Sequence, residues 1–184
     1  MEEGGWKIRN QGECHFLTLT VVEWVDVFTR KDYRDILLDS IRYCQLKKGL
    51  WLHCWCLMSN HIHMMASAKE HNLSAVIRDF KKYTSKALIK AIASNPSESR
   101  RDWMLRVFTE QGSGNIRNKK YQFWRQDNHP EELYSPKFIV QKMDYIHNNP
   151  VVAGIVANPW EYVYSSARDY HEQRKCGLLN VRFI

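Results

Sequence analysis

Leu50-Trp51-Leu52-His53-Cys54-Trp55-Cys56-Leu57-Met58-Ser59-Asn60-His61-Ile62-His63-Met64-Met65-Ala66 decides how this chain folds. Leu50 to Met58 is apolar on both faces, as a central strand is. Ser59-Asn60 supplies a tight turn, and Ile62 to Ala66 returns as the hairpin partner. On the returning strand His61 and His63 share one face, while Ile62 and Met64 point the other way into a core. Two imidazoles side by side can share one divalent metal, and histidine is the commonest metal ligand among side chains. A His-x-His alone is weak evidence; the other half of a site has to come from elsewhere in the chain.

Upstream, His15 to Val22 is β-branched and aromatic and reads as a first strand. From Lys31 to Lys48, Ile36, Leu37, Ile41 and Cys44 recur at helical spacing, with Gly49 as the C-terminal cap. Downstream, Leu73, Val76, Ile77, Phe80, Thr84, Ala87, Leu88 and Ala91 trace one face of a long helix. Residues 95–120 are polar and charged around Gly112, Ser113, Gly114 and Asn115, and read as a loop or basic insertion. Tyr121 to Arg125 reads as another strand, and Lys137 to Asn149 as a helix ended by Pro150. The order β-α-β-β-α-β-α is that of an α+β, ferredoxin-like split βαβ fold with an antiparallel sheet and an additional C-terminal helix. Its helices cover one face of the sheet, so His61 and His63 are expected on the open one.

A chain of 184 residues suits one domain with elaborations, here a core of about 14–170, the insertion at about 95–120 and a tail at 171–184. No apolar run reaches the ~18 residues that span a bilayer, and MEEGGWKIRN lacks a signal peptide's apolar segment. A soluble, cytoplasmic protein without a membrane partner is expected. Five cysteines without a CxxC spacing read as reduced structural thiols. The formal charge of +7 favours a polyanionic partner.

The other half of a site lies in the last helix. Tyr145 stands off the apolar stripe of Ile139, Met143 and Ile146, on the row of Phe138, Gln141 and Asn149. Asn149, one turn on, can offer an amide oxygen to a hard metal beside the tyrosine hydroxyl. Two histidines, an amide and a tyrosine make a phosphodiester site in which metal polarises the phosphate and Tyr145 attacks it.

These residues carry a resemblance. Leu57-Met58-Ser59-Asn60-His61-Ile62-His63 resembles the His-hydrophobic-His motif of the single-tyrosine HUH transposases. Asp144-Tyr145-Ile146-His147-Asn148-Asn149-Pro150-Val151-Val152-Ala153-Gly154 resembles their catalytic-tyrosine helix, and Glu161 to Ala167 the segment that follows it. The nearest branch is the REP-associated tyrosine transposases, over about residues 14–170. The resemblance implies magnesium or manganese held by His61 and His63 and completed by Asn149. It implies Tyr145 as the nucleophile, cleaving single-stranded, hairpin-bearing DNA through a 5′-phosphotyrosine and a free 3′-hydroxyl. It further implies a bacterial, nucleoid-associated protein, and leaves monomer and homodimer both open.

Basic residues fall where such a substrate needs them. Arg78, Lys81, Lys82, Lys86 and Lys90 mark the polar side of the second helix, and Arg100, Arg101, Arg117, Lys119 and Lys120 cluster in and after the insertion. From Arg117 to Arg125 cations interleave with aromatics, as phosphate contacts with base stacking require. Lys81, Lys82, Lys86, Arg117, Lys119, Lys120 and Arg125 are therefore the DNA-binding candidates, although Phe123 and Trp124 also suit the core of a last strand. His53 reads as packed in its strand, His129 as part of a turn before Pro130, and His147 as projecting away from the site. The rival reading is a domesticated, non-catalytic domain that binds DNA or RNA hairpins on the same surface. A histidine-triad hydrolase is weakened because Met65 stands where a third alternating histidine belongs. The apolar tail Leu178 to Ile184 either folds back on the sheet or meets a partner.

Overall fold

The computed structural model describes residues 7–113 and 120–184. The hairpin forms as the alternation predicts, with β2 at Leu50–Leu57 and β3 at His61–Ala68. The register between them slips between Leu52 and Cys54, a bulge at His53. Beyond it the faces exchange, so Leu50, Leu52, Trp55 and Leu57 enter one core while Cys54, Cys56 and Met58 enter another. That exchange explains why the strand reads as apolar on both faces.

β1, His15–Thr20, pairs antiparallel with β3, setting Thr18 opposite His63 and Thr20 opposite His61. With β4 at Glu131–Glu132, the four-stranded sheet runs β2-β3-β1-β4, the antiparallel order of the ferredoxin-like fold. α1, Lys31–Lys47, and α2, Leu73–Ser94, lie on one face. There Leu17, Leu19, Ile62 and Met64 pack with Leu37, Ile41, Phe80 and Leu88. Each such fully buried side chain contributes about 1.5–3 kcal/mol. Gly49, at φ +68°, ends α1 in the left-handed conformation that favours glycine.

Several sequence expectations need correction. The insertion is not simply a loop, because Arg101–Ser113 forms a helix, α3, anchored by Met104 and Phe108 at i and i+4. The fourth strand is not a continuous run at Tyr121 to Arg125. That segment is held to β1 by Val22 N–H to the Phe123 carbonyl and Arg125 N–H to the Thr20 carbonyl, with one bridge at Val21 and Trp124. The chain then bulges through His129, at φ +43°, and Pro130 before β4, Glu131–Glu132, pairs with Phe16 and His15. A proline and a left-handed residue interrupt the ladder and split the edge strand in two. Finally, Pro150 does not end the last helix: α4 runs Pro136–Val152, and Gly154, at φ +70°, follows it. Proline's φ suits a helix, and its missing N–H forfeits one bond near the terminus.

The second sheet face is also not open. α4 lies over it, with Ile146 in a smaller cluster that includes Phe16, Cys54, Cys56, Met58 and Met65. His147 is buried behind the helix, its Nε2 3.1 Å from Cys54 Sγ and 2.9 Å from Ser166 Oγ. α5, Ala167–His171, follows, and the tail folds back on the sheet. Leu179 and Val181 are buried, Arg182 N–H donates to the Leu52 carbonyl at 2.8 Å, and His53 Nδ1 donates to the Arg182 carbonyl at 2.9 Å. The cysteines form no disulfide; burial raises the thiols of Cys44, Cys14 and Cys56 to about 11, 12 and 12, as inert structural thiols require. No helix among the described residues is long and apolar enough to cross a membrane.

Candidate functional site

Strand alternation turns His61 and His63 toward α4, with ring centroids 4.6 Å apart. Each ring is held through Nδ1. His61 Nδ1–H donates to Asn60 Oδ1 at 2.7 Å, and His63 Nδ1 lies 2.9 Å from the hydroxyl of Thr18, its partner in register. An amide oxygen only accepts, so the His61 proton sits on Nδ1 and its Nε2 keeps a lone pair. Burial lowers the His61 imidazole, against an opposing hydrogen bond that its protonated form donates to Asn149. Burial also brings His63 down to about 3, helped by the charges of His61 and Lys142. Both rings are therefore neutral near pH 7, the form that binds metal.

α4 brings the other half. The Tyr145 ring stands edge-on to His63 at 5.2 Å and to Phe16 at 5.9 Å, and 53% of the residue is exposed. Asn149 reaches His61 and also donates from Nδ2 to the Tyr145 carbonyl at 3.2 Å. All four predicted site residues thus meet at one place. Lys142 borders it, with Nζ 4.5 Å from the Phe16 ring and 2.5 Å from Glu131 Oε1. Among the described residues no three His, Cys, Asp or Glu side chains cluster to hold a metal. Two neutral imidazoles and an amide oxygen nevertheless fit a divalent ion that takes its remaining ligands from water or a phosphate.

A groove of about 950 Å³ runs between α2 and residues 120–130, lined by Arg78, Lys82, Lys86, Lys90, Lys120 and Arg125 among others. Lys82, Lys86, Lys120 and Arg125 are exposed there. Lys81 is not a free cation: its Nζ donates to the Arg125 carbonyl at 2.7 Å and to Asn128 Oδ1 at 2.6 Å, and burial lowers it to about 8. Arg100 and Arg101 pair with Glu98 and Asp102. Phe123 and Trp124 are core residues, the indole N–H of Trp124 donating to Thr84 Oγ1 at 2.9 Å. Arg117 and Lys119 lie outside the described residues.

A family model described as "Transposase IS200 like" matches residues 11–111, more than half of the chain. The chain belongs to that family. The match contains the His61 and His63 hairpin and stops before α4. Among solved structures, a REP-associated tyrosine transposase bound to a REP hairpin shares the fold at TM-score 0.65 and 16% identity, covering 100% of this chain and 94% of that one. A protein described as a transposase from Deinococcus radiodurans R1 aligns at TM-score 0.43 and 15% identity, over 80% of this chain and 97% of that one. None of the curated proteins matches.

Thr18, Asn60 and Lys142 also neighbour the site, and no motif marks them as site residues. Asn60 sits inside the quoted motif, and Lys142 is three residues before Tyr145 on the same helix, so spacing could have suggested both. Thr18 is set opposite His63 only by strand register. Thr18→Val removes the hydroxyl that orients His63, and is expected to weaken metal affinity about 10–100-fold, as loss of a ligand's hydrogen-bond partner does. Titration of Mn²⁺ against both proteins checks this, and equal affinities would remove Thr18 from the site.

The buried histidines also set a pH dependence. Burial lowers His147 to about 4 and His63 to about 3, while unfolded histidine titrates near 6.5. Between those values the unfolded chain holds more protons than the fold, so stability falls as pH drops from about 6.5 towards 4. Metal-free protein is expected to lose on the order of 3 kcal/mol from His147 alone, read as a falling urea midpoint. A midpoint that does not fall across that window contradicts neutral, buried rings.

Proposed function

We propose that this chain is a metal-dependent nicking and joining enzyme for single-stranded, hairpin-bearing DNA, with Tyr145 as its nucleophile. The observation that carries this reading is the meeting of His61, His63, Tyr145 and Asn149, which come from two elements far apart in sequence. Membership of the IS200-like transposase family supports it, as does the fold shared with a structure that holds a REP hairpin.

The tyrosine oxygen bonds to phosphorus, the bond from phosphorus to the 3′-oxygen breaks, and the phenolic proton ends on the released 3′-hydroxyl. The 5′ end stays on Tyr145 as a phosphodiester. Attack by a 3′-hydroxyl on that linkage reverses the step, so strands rejoin without an external energy source. A phenol of pKa near 10 is a poor nucleophile at neutral pH. His61, His63 and the Asn149 amide oxygen would hold a magnesium or manganese ion, which would supply positive charge at the phosphate. The chain's own contribution is to keep both imidazoles neutral and fixed and to set the phenol beside them. Lys82, Lys86, Lys120 and Arg125 contact the phosphate backbone, with Arg117 and Lys119 proposed from sequence.

The test is incubation with hairpin-bearing single strands from around the protein's own gene, with Mn²⁺, and denaturing electrophoresis for a covalent DNA–protein product. Tight binding without any such product would favour a non-catalytic hairpin-binding protein. Because phosphate contacts dominate, affinity should fall by two to three orders of magnitude between roughly 50 and 200 mM salt. Salt-independent binding would rule out the basic groove as the DNA surface.

A further inference from the structure

One aromatic beside the site has no part in the core or in the reading above. Trp24 is 53% exposed, and its ring lies edge-on to His61 at 5.9 Å. The guanidinium of Arg125, a residue of the basic groove, lies 5.8 Å from the centre of the same ring. Trp24 therefore stands between the groove and the histidines.

The chain is bent to keep it there. Glu23 and Trp24 both take left-handed backbone conformations, at φ +50° and +54°, which bulky side chains rarely adopt. Val22 and Val25 anchor the segment on either side by burial. Asn60 Nδ2 donates to the Trp24 carbonyl at 3.2 Å and to Asp26 Oδ1 at 3.1 Å, and Ser59 Oγ donates to the same carboxylate at 2.5 Å. The amide that orients His61 through its oxygen thus positions Trp24 through its nitrogen.

We propose that Trp24, flanked by Arg125 and held by Asn60, is the platform on which the nucleobase next to the scissile phosphate stacks. An exposed indole between a cationic groove and a phosphodiester site suits one occupant, a base of a single strand. Its π-face accepts any base while the neighbouring cation meets the backbone. Of the other aromatics that line the groove, Phe123 and Trp124 are buried, and Tyr121 is partly buried against the core with Lys120 Nζ 5.1 Å from its ring. The inference rests on the proposed DNA-processing function and names where that site reads its strand.

Anisotropy measurements with Tyr145→Phe protein, which keeps the DNA intact, test it. The probes are a hairpin with single-stranded thymidine flanks and the same hairpin made abasic at one flank position at a time. One abasic position should weaken binding about tenfold, in the range that loss of one base–aromatic stack produces. Trp24→Ala should lose the same factor on intact DNA and nothing more at that position, while Trp24→Phe stays within about threefold of the parent. Trp24→Leu, apolar and without a π-face, replaces the alanine variant if that one does not fold. Equal abasic penalties with and without Trp24, or undiminished binding by the alanine and leucine variants, overturn the platform whatever the cleavage assay gives. A matching abasic profile without any covalent product from the wild type would instead overturn the nicking reading and leave the platform standing.

Discussion

Tyr145→Phe is expected to lower covalent capture of a hairpin-bearing single strand by at least about 10³-fold while leaving affinity within about twofold. The substitution removes one oxygen and keeps the ring, so the edge contacts with His63 and Phe16 survive. Tyr145 is more than half exposed, and its hydroxyl supports no neighbouring element, so the fold should change by no more than about 0.5 kcal/mol. A binding residue would lose affinity and a structural one stability; only a nucleophile loses the adduct alone. Denaturing gels for the adduct, anisotropy for binding and urea melts for stability separate the three. Undiminished adduct in the variant would remove Tyr145 from the reaction.

His61→Ala should be as severe. Chelation of the wild type should abolish cleavage and added Mn²⁺ should restore it, whereas His61→Ala should stay inactive at any Mn²⁺ concentration that the wild type needs. The substitution removes a neutral imidazole that Asn60 and Asn149 both hold. The single remaining imidazole and an amide leave little to retain an ion. A second readout is independent of chemistry. An ion bound only by the folded protein, at a hundred times its Kd, stabilises the wild type by about 2.7 kcal/mol, and this gain should vanish in the variant. Equal Mn²⁺ stabilisation of both proteins would place the metal elsewhere.

Much of this site is legible in the amino-acid sequence. A period of two over β3 set His61 and His63 on one face opposite Ile62 and Met64, and the core contains the latter pair as expected. A period of 3.6 over α4 put Tyr145 and Asn149 one turn apart, and the two are linked by a hydrogen bond. The helix inside the insertion has a weak sequence signal, because only Met104 and Phe108 mark its buried side among charged neighbours. Charge in a sequence does not reveal that Lys81, Arg100 and Arg101 already have partners.

What the residues specify along the chain is the α+β class, the pairing of the hairpin and which side chains share a face. Those properties follow from the fixed pitch of helix and strand, which a residue and its near neighbours express alone. Tertiary packing sets the rest: α4 closes the second sheet face, Thr18 stands against His63 and Trp24 leans on His61. Those contacts join residues tens of positions apart, and sheet register with helix packing sets them through the summed burial of two cores rather than through any local pattern.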